Sequence, residues 1–140
     1  MIEGWHNDTY LILFEPPQEQ TLFTQRYGIP AYLPGHTVIG LWGWDDFIIR
    51  DEKGAHFTVP TIPLAPEFLQ PFPTKINPSI LRPDARFTGR IKWHKQPIIF
   101  GGDPKPGENL AWIPLDPHVE MVAWWNKTYH SVKTRNHPGK

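Results

Sequence analysis

Apolar residues along this chain fall in short bursts separated by prolines, glycines and charges, a spacing that predicts strands more often than helices. Tyr10, Leu11, Ile12, Leu13 and Phe14 form one compact run, closed by Glu15-Pro16-Pro17; its length favours a buried strand over a helix. The stretch 37–60 reads as a meander of three strands. Thr37-Val38-Ile39 and Phe47-Ile48-Ile49 have the β-branched and aromatic composition that suits a pleated, half-buried surface. Asp51-Glu52-Lys53-Gly54 is a four-residue turn with glycine last, and residues 55–59 then alternate. That alternation puts Phe57 and Val59 on one face and His56 and Thr58 on the other, with Pro60 ending the strand. Residues 18–27 carry Leu22, Phe23 and Tyr27 at helical spacing and stop at Gly28, so a short helix is predicted there. Residues 29–35 read as extended chain running into a Pro-Gly turn.

Seven prolines between Pro60 and Pro83 predict an ordered, irregular wrap over residues 60–83, with one helical turn near residues 65–70. Phe68, Leu69, Phe72 and Ile76 give that wrap something to bury. Ile91 and Trp93 alternate with Lys92 and His94, a strand with one wet face. Pro97-Ile98-Ile99-Phe100 is a second apolar run, read as a strand ended by Gly101-Gly102, and residues 103–109 form a loop. Leu110-Ala111-Trp112-Ile113 is another short strand. Asp116 as N-cap and Pro117 at the first helical position open the best helix, with Met121, Val122, Trp125, Tyr129 and Val132 as its apolar stripe and Trp124 turned partly away. Residues 134–140 read as a frayed tail. The fold class expected is α+β: a mixed, mostly antiparallel sheet with one or two helices packed on it, in a single domain over residues 1–140.

Composition narrows the chemistry. The 14 basic and 14 acidic residues cancel, which argues against a general nucleic-acid or anionic-membrane binder, whose electrostatics need a basic excess. No cysteine is present, so disulfides and thiolate metal sites are excluded. No apolar run approaches the roughly 20 residues that span a bilayer, and the N-terminal residues carry no signal-peptide pattern, so the cytoplasm is the expected compartment. The 17 prolines are more than twice the usual share of about 5%, which makes helices few and loops stiff. Seven tryptophans supply much packing area from few residues.

The order of weak motifs over residues 3–65 resembles the SMI1/KNR4 (SUKH) superfamily. A strand Tyr10-Leu11-x-Leu13, a helix ending Tyr27-Gly28, a Tyr32-x-Pro34-Gly35 loop, Ile39-Gly40, then Gly43, Asp46, Gly54 and a final strand ending Val59-Pro60 follow the family's sequence of elements. Two features depart from it: the family's usual N-terminal helices have no counterpart, and Leu41-Trp42-Gly43-Trp44 stands where the family has small residues. The resemblance implies a non-catalytic protein-binding module, in bacteria an immunity protein that neutralises a cognate toxin by covering it. A cytoplasmic partner with a basic surface would call for an acidic patch here, and Glu15, Glu19, Asp45, Asp46, Asp51, Glu52, Asp103 and Glu108 are the residues available to form one.

Candidate site residues follow from residue type. Trp42, Trp44 and Trp124 belong to the class enriched at interaction hot spots; Trp42 and Trp44 share strand parity, which predicts that both point to one face. Asp45 and Asp46 are paired carboxylates, able to do acid–base work if burial separates their pKa values, or simply to end a sheet edge. Two rival functions stay open: a small metal-assisted hydrolase using Asp45, Asp46 and His56, and a carbohydrate-binding module using exposed Trp rings. The seven histidines do not fall into a metal-ligand spacing, no nucleophile motif is present, and neither a cofactor nor a metal is expected.

Overall fold

The computed structural model describes residues 1–72 and 76–135. Its main sheet is a six-stranded antiparallel meander in which every strand pairs with its sequence neighbour: β1 (Ile2–His6), β2 (Thr9–Leu13), β3 (Thr37–Trp42), β4 (Asp46–Arg50), β5 (His56–Pro60) and β6 (Gln70–Pro71). Two long helices, α1 (Pro17–Arg26) and α3 (Leu115–Arg135), a single-turn helix α2 (Ile29–Tyr32), and a separate two-stranded antiparallel ribbon of β7 (Ile91–His94) and β8 (Leu110–Ile113) complete it. The α+β class expected from the sequence is the one observed.

The unbroken apolar runs are explained by burial on both faces of the sheet. In β2, Tyr10 and Ile12 join the larger core beneath the helices, while Leu11 and Leu13 join a smaller core beneath the wrap. In β4, Phe47 and Ile49 point to the helix side and Ile48 to the wrap side. A strand covered twice loses the apolar–polar alternation that a half-exposed strand keeps. The wrap does what its prolines predict, with a 3-10 turn at Pro66–Phe68 and Phe72, Ile76 and Leu81 laid on Leu11, Leu13 and Ile48.

A bulge in β3, between Val38 and Gly40, re-phases the strand so that Val38 and Leu41 both face the larger core. Beside the bulge, the Val38 N–H donates to the Thr24 hydroxyl of α1 at 2.9 Å. Gly40 is required at this point: a Cβ there would run into the Ile12 carbonyl oxygen of the neighbouring strand. Gly40→Ala is therefore expected to cost about 1–2 kcal/mol, read as a lower denaturant midpoint with an unaltered m-value.

Several expectations are corrected. Residues 29–32 are helical, because Pro30 sits in the first turn, where a missing N–H costs nothing, behind Gly28 at φ 73°. Ile98–Phe100 is a 3-10 turn rather than a strand. The last helix starts at Leu115, and Asp116, instead of capping it, pairs with Arg26 at 2.8 Å. The buried side of α3 runs through His118, Val119, Val122 and Asn126, and Val132 is exposed. Leu22 is likewise exposed, although Phe23 and Tyr27 are core as expected. α3 continues to Arg135, so residues 134 and 135 are helical; residues 136–140 of the expected tail, and 73–75 of the wrap, lie outside the described residues. Strand β1, which the apolar pattern does not announce, pairs with β2 across a two-residue turn at Asn7-Asp8 with Asn7 at φ 53°.

Candidate functional site

The hairpin between β3 and β4 decides where the predicted site residues go. β3 ends at Trp42, and Gly43 and Trp44 both adopt left-handed backbone, at φ 65° and 69°. Two such residues in succession break strand parity. Trp42 consequently lies on the wrap side, with its ring 5.0 Å from that of Phe72, while Trp44 lies on the helix side, stacked on Tyr10 at 4.9 Å. The expectation that both indoles share a face is overturned by this turn.

Trp44 belongs to an aromatic cluster with Trp5, Tyr10, Phe87 and Trp112, whose rings meet at centroid distances of 4.9 to 5.9 Å. The cluster fastens the two-stranded ribbon, through Trp112, to the main sheet. Its outer edge is tied down by Asp84, whose carboxylate accepts from the Trp5 indole N–H at 3.1 Å and from Arg86 Nη2 at 2.7 Å. The Arg86 hydrogen bonds, followed by that of Trp5, hold the Asp84 carboxyl well below the usual carboxylate range.

Trp44, Asp45 and Asp46 together form one wall of a cleft of about 240 Å³ at the junction of the main sheet and the ribbon. Pro60, Thr61 and Ile62 continue that wall from the end of β5. The facing wall is Lys92, Trp93 and His94 of β7 with Pro97, Ile98 and Ile99, and His118 of α3 closes the base. The Thr61 N–H donates to the Asp45 carbonyl at 3.0 Å, prolonging the β4–β5 ladder into the site and fixing both carboxylate-bearing residues. Asn126 of α3 holds the next turn of chain: its Nδ2 donates to the Thr61 carbonyl at 2.7 Å and its Oδ1 accepts from the Leu64 N–H at 2.7 Å.

The electrostatics of the cleft are uneven. Asp45 is exposed and faces Lys92 at 3.4 Å. Asp46 is half-buried, has no hydrogen-bond or ion-pair partner among the described residues, and its carboxyl is pushed up first by burial and then by the neighbouring Asp45. His118 is buried, hydrogen-bonded through Nδ1 to the Tyr27 hydroxyl at 2.8 Å, and pushed down to about 3 by desolvation, so it is neutral near pH 7. The indole N–H groups of Trp44 and Trp93 are both sealed from solvent and meet no acceptor among the described residues; Trp93 is only 5% exposed. The charged groups that line the cleft are therefore the Asp45–Lys92 pair and Asp46.

The outer rim is apolar. Ile98 and Ile99 are 53% and 47% exposed, and the adjoining Phe100 ring lies 5.1 Å from Trp125. Trp125 in turn meets Trp124, which is 58% exposed, at 4.8 Å. Of the five predicted site residues, three therefore line the cleft, Trp124 belongs to its apolar surround, and Trp42 is elsewhere.

The other predicted groupings do not form. His56 lies opposite Arg50 in the β4–β5 ladder, whereas Asp46 lies opposite Pro60, so His56 is at the far end of both strands from the paired aspartates. It instead borders an apolar depression of about 530 Å³ on the wrap side, lined by Leu13, Ile39, Ile48 and Phe72 and holding none of the predicted site residues. Asp51 and Glu52 follow the far end of β4 and Glu19 is paired with the N-terminal amine, so the acidic residues do not make one patch. Among the described residues, no group of three or more His, Asp or Glu side chains is placed to hold a metal ion. No helix among them is long and apolar enough to cross a membrane.

No family model matches the chain, and comparison with curated proteins and with solved structures brings no match.

Proposed function

We propose that this chain is a non-catalytic protein-binding module and that the cleft with its apolar rim is the binding face. The observation carrying the proposal is the exposure of Ile98, Ile99 and Trp124, joined through Phe100 and Trp125, beside a polar centre at Asp45 and Asp46. Large apolar side chains grouped in this way around a few polar groups mark interaction surfaces. The kind of partner is supplied by the resemblance of residues 3–65 to the SMI1/KNR4 superfamily: a toxin protein, met in the cytoplasm and neutralised by being covered. The strand, helix and strand order of residues 9–60 supports that resemblance, and zero net charge fits a body that recognises one partner rather than any polyanion.

The test is co-expression with a toxin encoded beside this chain's gene, followed by co-purification and a growth assay. The intact chain is expected to restore growth and to travel with the toxin. Ile99→Asp and Trp124→Ala, both at exposed positions, are each expected to weaken the complex by about tenfold or more while shifting the melting temperature by no more than about 2 °C. A fully toxic partner in the presence of abundant folded chain, or both variants binding as tightly as the parent, would sink this reading.

A further inference from the structure

We propose that the cleft is a strand-addition groove: an extended segment of the partner lies along the outer edge of β7, held by main-chain hydrogen bonds to Lys92 and His94. This rests on the protein-binding reading above and names the kind of segment the face takes.

The hydrogen-bond ladder of the ribbon fixes which main-chain groups face outward. β7 pairs only with β8. The bond from the Lys95 N–H to the Asn109 carbonyl, at 2.8 Å, is the rung that follows the His94–Leu110 pair. Rungs alternate along each strand of an antiparallel ladder, so Trp93 bonds Ala111 and Ile91 bonds Ile113, in phase with Lys95. Lys92 and His94 therefore turn their N–H and C=O groups away from β8. Neither main chain meets a hydrogen-bond partner among the described residues. An open edge of this kind is a template for another strand.

The cleft runs along that same edge. Lys92, Trp93 and His94 are consecutive in β7, and all three line it. Successive side chains of a strand point to opposite faces, and here Ile91 and Trp93 are buried while Lys92 and His94 are partly exposed. A cleft lying over one face would meet every second residue. One that meets all three lies beside the backbone, and because β8 occupies the other edge, it opens on the unpaired one.

Further features say what kind of chain fits. Ile91 and Trp93 anchor β7 in the larger core, so the edge is already ordered before a guest strand arrives. Pro97, Ile98 and Ile99 continue the cleft beyond β7, and both isoleucines are exposed. The guest segment accordingly carries apolar side chains at alternate positions. At about 240 Å³ the cleft is smaller than the roughly 300–1,000 Å³ of sites that hold drug-sized ligands, and it takes a short length of chain. The Lys92–Asp45 ion pair joins the two walls at one point, at 3.4 Å. Exposed pairs hold weakly, and this one parts to admit the strand.

The experiment follows amide hydrogen exchange of the 15N-labelled full chain alone, with the neighbouring-gene toxin, and with the peptide acetyl-Thr-Val-Thr-Val-Thr-amide at millimolar concentration. In the chain alone, the Lys92 and His94 amides should exchange about tenfold or more faster than the amide of Trp93, which bonds β8. Both should slow by about tenfold or more in the toxin complex. The peptide should shift them saturably, and a copy with every backbone nitrogen methylated should leave them in place. His94→Pro, which deletes an outward N–H and spares the β8 ladder, should weaken the toxin complex by about tenfold or more. His94→Ala, which keeps that N–H, should stay within about twofold of the parent. Retained tryptophan indole resonances mark the proline variant as folded; if it is not, the exchange data on the parent decide.

Unchanged Lys92 and His94 exchange in a toxin complex would overturn strand addition while leaving the protein-binding reading intact. So would a loss for His94→Ala equal to that for His94→Pro, since the side chain would then be what the partner reads. Amides already protected in a dimer of the chain alone would also overturn it, a second copy being the occupant. A saturable peptide response in a chain that engages no toxin would support the groove and count against the toxin reading. No response to either would overturn both.

Discussion

Asn126→Ala is expected to destabilise the protein by about 3–5 kcal/mol. Asn126 is fully buried on α3, and all three of its hydrogen bonds are internal: Oδ1 accepts from the Leu64 N–H, and Nδ2 donates to the carbonyls of Thr61 and Val122. The Val122 bond is local to the helix and dispensable. The other two satisfy backbone groups of an irregular segment that cannot satisfy itself, since Pro60, Pro63 and Pro66 remove donors from it. Truncation would strand a donor and an acceptor, each at about 1–3 kcal/mol, and would leave a cavity as well. Asn126→Leu, which refills the volume but not the bonds, should recover little of the loss. Asn126→Asp would keep the acceptor for Leu64 but bury a charge and lose the donor to Thr61. Urea unfolding distinguishes these cases, and an Asn126→Leu protein as stable as the parent would show that the hydrogen bonds are not what holds the wrap on α3. Because Thr61 and Ile62 also line the cleft, a partly folded Asn126 variant should lose partner binding along with stability.

Asn126 also illustrates what the sequence shows and what it hides. On the helix it occupies a position between Val122 and Tyr129 that reads as ordinary polar surface, and only the return of residues 61–64 onto α3 makes it an anchor. By contrast β2, β4, β5, β7 and β8 are legible because each signal is local: an apolar run of strand length or an alternation bounded by turn residues. β1 was hidden because Ile2, Gly4 and Trp5 alternate too weakly, although Asn7-Asp8 is a serviceable hairpin signal. α2 was hidden because Pro30 reads as a breaker unless the first helical turn is considered.

The candidate site divides in the same way. Trp44, Asp45 and Asp46 are neighbours in the chain, so the same turn delivers all three to the cleft and their association could be read directly. The opposite wall comes from β7, the 3-10 turn after it and α3, more than forty residues further on, and nothing in local patterning links them to the first wall. Lys92 and His94 were legible only as the wet side of a strand; that Lys92 on this side meets Asp45 is tertiary information. The misassignment of Trp42 has a single cause. Parity arguments hold while the chain remains a strand, and two successive left-handed residues at Gly43 and Trp44 end it.

Stability should fall by about 2–3 kcal/mol between pH 7 and pH 4.5, and His118 should account for most of the loss above pH 5. In the unfolded chain its imidazole titrates near the ordinary value of about 6.5; in the fold, desolvation pushes it down to about 3. Between those two values the unfolded state binds a proton that the folded state refuses. Acidification therefore pulls the equilibrium towards unfolding, with a limiting slope of about 1.4 kcal/mol per pH unit, and the contribution is complete only above pH 6.5. The groups around the ring give no countervailing charge: Tyr27 holds Nδ1 at 2.8 Å as a neutral hydroxyl whose own ionisation is pushed well upward by burial, and Trp93 lies edge-on at 5.4 Å. Asp46 works in the opposite direction. Its raised carboxyl makes the folded state the better proton acceptor as the pH falls towards the carboxylate range, which moderates the slope below about pH 5. Replacing His118 by Gln, which retains a polar contact to Tyr27 without a titrating ring, should lower stability at pH 7 yet flatten the profile between pH 7 and 5. Unfolding midpoints of both proteins across that range decide the matter: parallel profiles would mean that His118 is not the group whose protonation opens the core.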